Sequence, residues 1–227
     1  MEYVILASMT YKTLLIDLDD TVYPAGNGLW EAIAGRIDRY MHEKLGLHPA
    51  EIPALRKRLH AQYGTTLRGL AATRHVDELD YLSFVHDIPV QNYLTPNPAV
   101  REALLACPLR KVIFTNADRG HAERVLTALS LRDVFEDVID ILDIRPYCKP
   151  MPEAFSLALT RAGCSAEECI FLDDSTRNLE GARLAGLAGI LVGGESPPGG
   201  DFSRIPGLES LPVALAVYLP HHNPPSV

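Results

Sequence analysis

Leu14-Leu15-Ile16-Asp17-Leu18-Asp19-Asp20-Thr21 is the stretch from which the fold can be read. Its apolar, branched run over residues 14–18 predicts a strand buried on both faces, and the polar residues after it mark where that strand stops. Side chains two apart on an extended segment point the same way, so Asp17 and Asp19 share a face at the carboxyl end while Leu18 turns to the core. Similar short runs rich in Val, Ile and Leu recur at 111–114, 138–141, 169–172 and 189–192. Helical periods fill 98–107, 121–129, 152–162 and 179–187 between them. This alternation predicts an α/β fold, a doubly wound parallel sheet, whose ligands bind beyond the carboxyl ends of the strands.

The first two predicted strands lie about 90 residues apart, far more than a βα connection requires. Within that gap Leu29, Ile33, Ile37, Tyr40, Met41 and Leu45 recur at helical spacing. Ile52, Leu55, Leu59 and Tyr63 repeat the pattern, and residues 80–86 supply another helix. The chain is thus expected to divide into a discontinuous core, residues 1–24 and 94–227, and a small helical domain inserted at 25–93. Residues 208–218 read as a last helix, 195–201 as a turn-rich loop and 221–227 as a disordered tail. Residues 1–8 admit two readings, an added edge strand or an extension ahead of a start at Met9.

Composition narrows the function. A hydrophobic share of 47% with 22% charged residues over 227 residues is that of a globular chain with a sizeable core. The formal charge of -8, without basic runs, argues against a phosphate backbone as ligand, so no nucleic-acid partner is expected. Four cysteines without metal or redox spacing fit reduced thiols in a cytosol. No apolar run reaches the ~20 residues that span a bilayer. A cytoplasmic protein with no membrane partner, acting as a monomer or homodimer, is the expectation.

Three further strand ends carry chemistry. The run at 111–114 ends in Thr115 and Asn116, which offer a hydroxyl and backbone N–H groups. Lys149 sits in an extended Tyr-Cys-Lys-Pro segment, and the run at 169–172 ends in the adjacent acids Asp173 and Asp174. Each taken singly is an ordinary turn, cap or solvated charge. Together they supply what phosphoryl transfer requires: a carboxylate to attack, an acid to move a proton, and a hydroxyl, N–H groups and lysine to hold oxygens. Four carboxylates facing one lysine repel a phosphate dianion unless a hard divalent cation joins them, and Mg²⁺ suits oxygen ligands.

Asp17-x-Asp19-x-Thr21, a strand-end Thr115, Lys149 and the Asp173-Asp174 pair, in this order, resemble the signature of the haloacid dehalogenase superfamily. The resemblance implies that Asp17 is the nucleophile and forms an aspartyl-phosphate, and that Asp19 is first acid and then base. Thr115 and the Asn116 amide would bind the phosphoryl group, and Lys149 would steady it and Asp17. Mg²⁺ would be held by Asp17, the Asp19 backbone carbonyl and Asp174, with Asp173 acting through water or Lys149. The insertion looks like that superfamily's α-helical cap. A narrower likeness, in residues 19–24 (DDTVYP), 63–70 (YGTTLRGL), 84–89 (FVHDIP), 114–116 (FTN) and 173–178 (DDSTRN), is to the pyrimidine 5'-nucleotidase family. It implies a small phosphate ester as substrate, a pyrimidine nucleoside monophosphate.

Specificity is expected from the insertion. Its polar, turn-prone stretch carries Tyr63, Thr65, Thr66 and Arg68, groups able to stack on a base and hydrogen-bond its edge. A sugar-phosphate phosphatase or a mutase of the same superfamily is the rival reading. A phospho-accepting receiver domain is the distant one, disfavoured by the order of the motifs and by the long insertion. Dehalogenation has no use for Asp19. The histidines, His86 and His121 among them, share no metal spacing, and Trp30 reads as core or hinge packing.

Overall fold

A computed structural model describes residues 11–193 and 202–219 of the chain. Its centre is one parallel sheet of six strands: β1 (Thr13–Ile16), β2 (Arg110–Phe114), β3 (Asp137–Ile139), β4 (Cys169–Asp173), β5 (Ala188–Val192) and β6 (Ser203–Ile205), in the order β3-β2-β1-β4-β5-β6. β1 is fully buried along its length, as its unbroken Thr-Leu-Leu-Ile run requires of a strand covered on both faces. The chain winds from β1 toward β3, returns to lay β4 against the other side of β1, and continues outward. The strand order therefore reverses between β1 and β4. Ile16 pairs with both Leu172 and Ile113, so Asp17, Asp173 and Phe114 end their strands at nearly one level.

Five helices cover the sheet: α5 (Pro98–Ala106), α6 (Arg119–Ala128), α7 (Pro152–Ala162), α8 (Thr176–Leu184) and α9 (Leu211–Tyr218). Asp118 caps α6 by accepting the His121 N–H, and Ser175 caps α8. Both caps lie in loops that leave the carboxyl ends of strands, so each helix start faces the same end of the sheet. β6 was not foreseen. Three residues with two exposed side chains at the sheet edge give too little apolar periodicity to read. Residues 208–210, expected to open the last helix, form a 3₁₀ turn ahead of α9.

Between β1 and α5 lie α1 (Leu29–Glu43), α2 (Ile52–Tyr63), α3 (Thr66–Arg74) and α4 (Glu78–Val85), where α1 packs on α2 and α4, and α3 on α2 and α4. Here one expectation is corrected. The stretch around Thr65, Thr66 and Arg68 is the start of α3 and not a turn, because the Thr65 hydroxyl accepts the Arg68 N–H and caps a helix that buries Leu67 and Leu70. The Gly64 turn before it has φ +85, and a β-carbon there would lie 2.6 Å from Cys148 Sγ. A glycine is therefore required where the insertion meets the lysine segment. The expectations for residues 1–8 and 221–227, and for the loop 195–201, fall outside the described residues.

Candidate active site

The strand ends bring six sequence-predicted groups around one cavity of about 680 Å³ between the sheet and the insertion: Asp17, Asp19, Thr115, Asn116, Lys149 and Asp174 line it. Asp17 extends β1 by one residue, its N–H donating to Leu172 O at 2.9 Å, which fixes its carboxylate at the β1–β4 reversal. The Lys149 ammonium is 1% exposed and donates to Asp17 Oδ1 at 2.6 Å and to Asp173 Oδ2 at 2.8 Å. Its position comes from its own backbone. The Asn116 side chain accepts the Lys149 N–H at 2.9 Å and donates to the Lys149 carbonyl at 3.1 Å. Gly181 of α8 lies so close to the Pro150 carbonyl that a β-carbon there would be 2.1 Å from it. Asn116 thus acts through its side chain on the lysine loop, a role the sequence did not suggest, and only its main-chain N–H remains for a ligand.

The paired acids divide. Asp173 is fully buried and fully engaged: Oδ1 accepts from Ser175 N and Asn178 Nδ2, and Oδ2 from Lys149 and Asn178 Nδ2. Asp174 is held by Thr21, whose hydroxyl oxygen accepts the Asp174 N–H at 3.0 Å and lies 3.4 Å from carboxylate oxygens of both Asp174 and Asp17. Burial raises the Asp17 carboxyl well above the ordinary carboxylate range against the pull of Lys149, with the charges of Asp173 and Asp174 adding to the rise. Burial, then the charge of Asp173, pushes Asp174 up to about 6.

Oxygen atoms of Asp17, Asp173 and Asp174 all lie within 4.8 Å of one another. Three carboxylates against the one lysine they surround leave an excess of two negative charges when all are ionised, which adds to burial in raising the proton affinities of Asp17 and Asp174. The donor set is hard and all-oxygen, so it fits a divalent cation of the Mg²⁺ kind. With Asp173 saturated by donors, Asp17 and Asp174 have the free oxygens to hold one.

Asp19 faces the cavity from the turn after β1, and Asp20 beyond it has a positive φ of 60°. Asp19 Oδ1 accepts from the Tyr23 hydroxyl at 2.5 Å and meets His121 Nε2 at 2.9 Å. Burial would raise its carboxyl, but the adjacent imidazole and these hydrogen bonds outweigh it and hold Asp19 at about 2. Neither Tyr23 nor His121 was singled out from the sequence as a partner of Asp19. His121 lies 102 residues from Asp19, and no local period links them.

Of the four insertion residues expected to meet substrate, Thr65 and Thr66 line the cavity. Arg68 overturns its expectation. Its side chain is 5% exposed, paired with Glu78 and donating to Tyr147 O at 3.0 Å and Ile141 O at 2.5 Å. The guanidinium satisfies main-chain carbonyls of the loop ahead of Lys149 and ties the insertion to the core. Tyr63 packs against the hydrophobic core, outside the cavity lining, and its carbonyl accepts from Cys148 Sγ. Trp30, expected in packing, is 49% exposed and lines the cavity.

The sequence profile of haloacid dehalogenase-like hydrolases matches residues 11–186. Phosphate metabolism protein 8 of Saccharomyces cerevisiae is 27% identical over 195 residues, 79% of this chain and 61% of that protein. Fructose-1-phosphate phosphatase YqaB of Escherichia coli is 29% identical over 80 residues, 35% of this chain and 42% of that one. The chain spans about half the length of the curated relatives it matches. The solved structure of a 2-haloacid dehalogenase from Pseudomonas syringae shares the fold, with a TM-score of 0.61 at 21% identity over 92% of this chain and 100% of that one. The profile covers all four strand-end motifs, and with the reversed sheet that gathers them it establishes that the chain belongs to the haloacid dehalogenase-like hydrolase family.

Proposed function

We propose that the protein hydrolyses phosphate monoesters with the help of a divalent cation, Mg²⁺ by the chemistry of its ligands. The observation that carries this reading is the position of Asp17, which touches Lys149 on one side and shares the acidic cluster with Asp173 and Asp174 on the other. A carboxylate at that point is nucleophilic once the excess negative charge is neutralised. A cation on Asp17 and Asp174 would supply that neutralisation and screen the phosphoryl oxygens. Asp17 attacks phosphorus and the bond to the leaving oxygen breaks, while Asp19, ionised in the free site, passes to that oxygen the proton that the substrate monoanion brings. Water then attacks the aspartyl-phosphate, Asp19 takes a proton from it, and the Asp17–phosphorus bond breaks to free phosphate. Thr115 and the Asn116 N–H hold the phosphoryl oxygens, and Lys149 orients Asp17.

For the leaving group we take a nucleoside, and by the motif likeness a pyrimidine nucleoside, with residues 25–93 acting as a cap over it. The cavity supports this choice with a mixed wall: half-exposed Trp30 beside Ile33, Ile37 and Leu82 offers an apolar face, and Thr66 a hydroxyl. The similarity to a fructose-1-phosphate phosphatase favours a second reading, a sugar phosphate. Four free cysteines suit a reducing cytosol as the setting. The deciding experiment measures phosphate release from UMP, CMP, purine nucleotides, sugar phosphates and a nitrophenyl ester, with Mg²⁺ and then EDTA. Mg²⁺-dependent release, greatest for UMP and CMP and lost in Asp17→Asn, is expected. A preference for sugar phosphates retires the nucleotide reading, and near-normal turnover by Asp17→Asn overturns the covalent mechanism.

A further inference from the structure

His121 is fully buried in the first turn of α6, its ring edge against Asp19. Nε2 lies 2.9 Å from Asp19 Oδ1, while Nδ1 is buried without a hydrogen-bond partner among the described residues. An imidazole so placed has its tautomer chosen for it. A buried N–H with no acceptor forfeits a hydrogen bond it would have made in water, and an idle lone pair forfeits less. A proton therefore belongs on Nε2, donated to Asp19. With the Tyr23 hydroxyl at 2.5 Å, two donors converge on Oδ1 of Asp19, and Oδ2 is the oxygen left for a reacting group.

The imidazole is itself held. The His86 ring stacks on it at 4.4 Å between centroids and 24° between planes. His86 ends α4, the last helix of the insertion, and lines the cavity. Its Nδ1 pairs with Asp118, whose other oxygen caps α6 by accepting the His121 N–H at 2.9 Å, and its carbonyl accepts from Arg124 Nη2 at 2.8 Å. One aspartate thus anchors both the His121 main chain and the ring stacked on the His121 side chain.

We propose that His121 is a positioning residue for the proton-transferring carboxylate: its Nε2–H, braced by the His86 stack, pins Asp19 Oδ1 so that Oδ2 addresses the leaving oxygen and then the attacking water. The proposal rests on the acid–base role given to Asp19 above. Proton transfer demands placement within a few tenths of an ångström, and a carboxylate free to rotate loses that placement in most of its orientations. A histidine that merely filled the core at the start of α6 would have no such tie to leaving-group chemistry.

The test compares kcat for nitrophenyl phosphate, whose leaving group needs little protonation, with kcat for an alkyl phosphate such as UMP. His121→Leu removes the donor at similar volume, His121→Asn leaves a donor too short to reach, and His121→Gln carries an amide donor out to the Nε2 position. Both Leu and Asn are expected to lose on the order of 10- to 100-fold on the alkyl ester. The aryl ester should lose far less, and Gln should recover most of the alkyl rate. In an Asp19→Asn background the Asn substitution at 121 should remove nothing further, because its effect runs through Asp19. Equal losses on the two esters, no rescue by Gln, or full additivity with Asp19→Asn would each overturn the proposal. If Asp19→Asn alone is silent toward leaving group, the acid–base reading fails first. Should His121→Leu not fold, as a thermal melt would show, the Asn and Gln pair decides the outcome by itself.

Discussion

The strand-end site and the helical insertion meet at one cavity, yet they are built on opposite principles. At the strand ends, polar side chains reach their partners because the sheet register sets neighbouring strands level: Asp17 follows Ile16, which pairs with Leu172 before Asp173. In the insertion, polar side chains of the same appearance are spent on holding structure. Arg68 satisfies two carbonyls of the Lys149 loop and pairs with Glu78, and His60 of α2 accepts through Nδ1 from Arg177 of the core helix α8 at 3.0 Å. A charged residue near a cavity is thus a reagent where the backbone delivers it to the rim, and a strut where buried carbonyls claim it first.

The largest difference between the two regions should appear at Arg68. Arg68→Ala leaves the carbonyls of Tyr147 and Ile141 without their donor and leaves Glu78 paired with Arg145 alone. A loss of ~2–6 kcal/mol in stability is expected, as for leaving two buried acceptors unsatisfied at ~1–3 kcal/mol each. Denaturant melts measure it. For the fraction still folded, UMP and nitrophenyl phosphate should suffer alike, and a selective rise in KM for UMP would return Arg68 to the substrate.

The strand-end cluster should instead answer to protons. Asp174, raised to about 6, must lose its proton to hold a cation, so below that pH a proton and Mg²⁺ compete for one carboxylate. Affinity for Mg²⁺ should fall as pH drops, approaching tenfold per unit below about 6 from Asp174 alone, with the raised carboxyl of Asp17 adding to the fall. Calorimetric titration with Mg²⁺ at pH 5, 6 and 7.5 reads it directly. An affinity unchanged across that span would take Asp174 out of the ligand set.

Thr66 should give the smallest effect, one confined to recognition. It lines the cavity from the first turn of α3, and a neutral hydrogen bond is worth ~1 kcal/mol, or about fivefold in affinity. Thr66→Ala is expected to raise KM for UMP by about that factor and leave nitrophenyl phosphate unchanged. Steady-state kinetics on the two esters tests it, and equal shifts would make Thr66 part of the scaffold, like Arg68.

Much of this site was legible before any coordinates. A short apolar run that ends in polar or small residues is a local signal, and five of the six strands carried one. Asp17, Asp19, Thr115 and Asp174 stood out because each follows such a run, and Lys149 because the proline after it holds its segment extended; the sheet brings them to one cavity. β6 escaped because a three-residue edge strand with one buried side chain leaves no period to detect. α3 was misread because Thr65 and Thr66, which look like turn residues, are also good residues for starting a helix.

Local order along the chain was enough to define the parallel sheet, its long helical insertion and the set of acids, hydroxyl and lysine at the strand ends, because strand period and strand-end position are properties of neighbouring residues. Folding alone settled which polar groups are free to act. The 102-residue reach from His121 to Asp19, the grip of Asn116 on the Lys149 backbone, and the capture of Arg68 by carbonyls at 141 and 147 are contacts between distant segments. A buried carbonyl or carboxylate must be satisfied by whichever donor lies nearest in space, and nearness in space is a property of the packed chain.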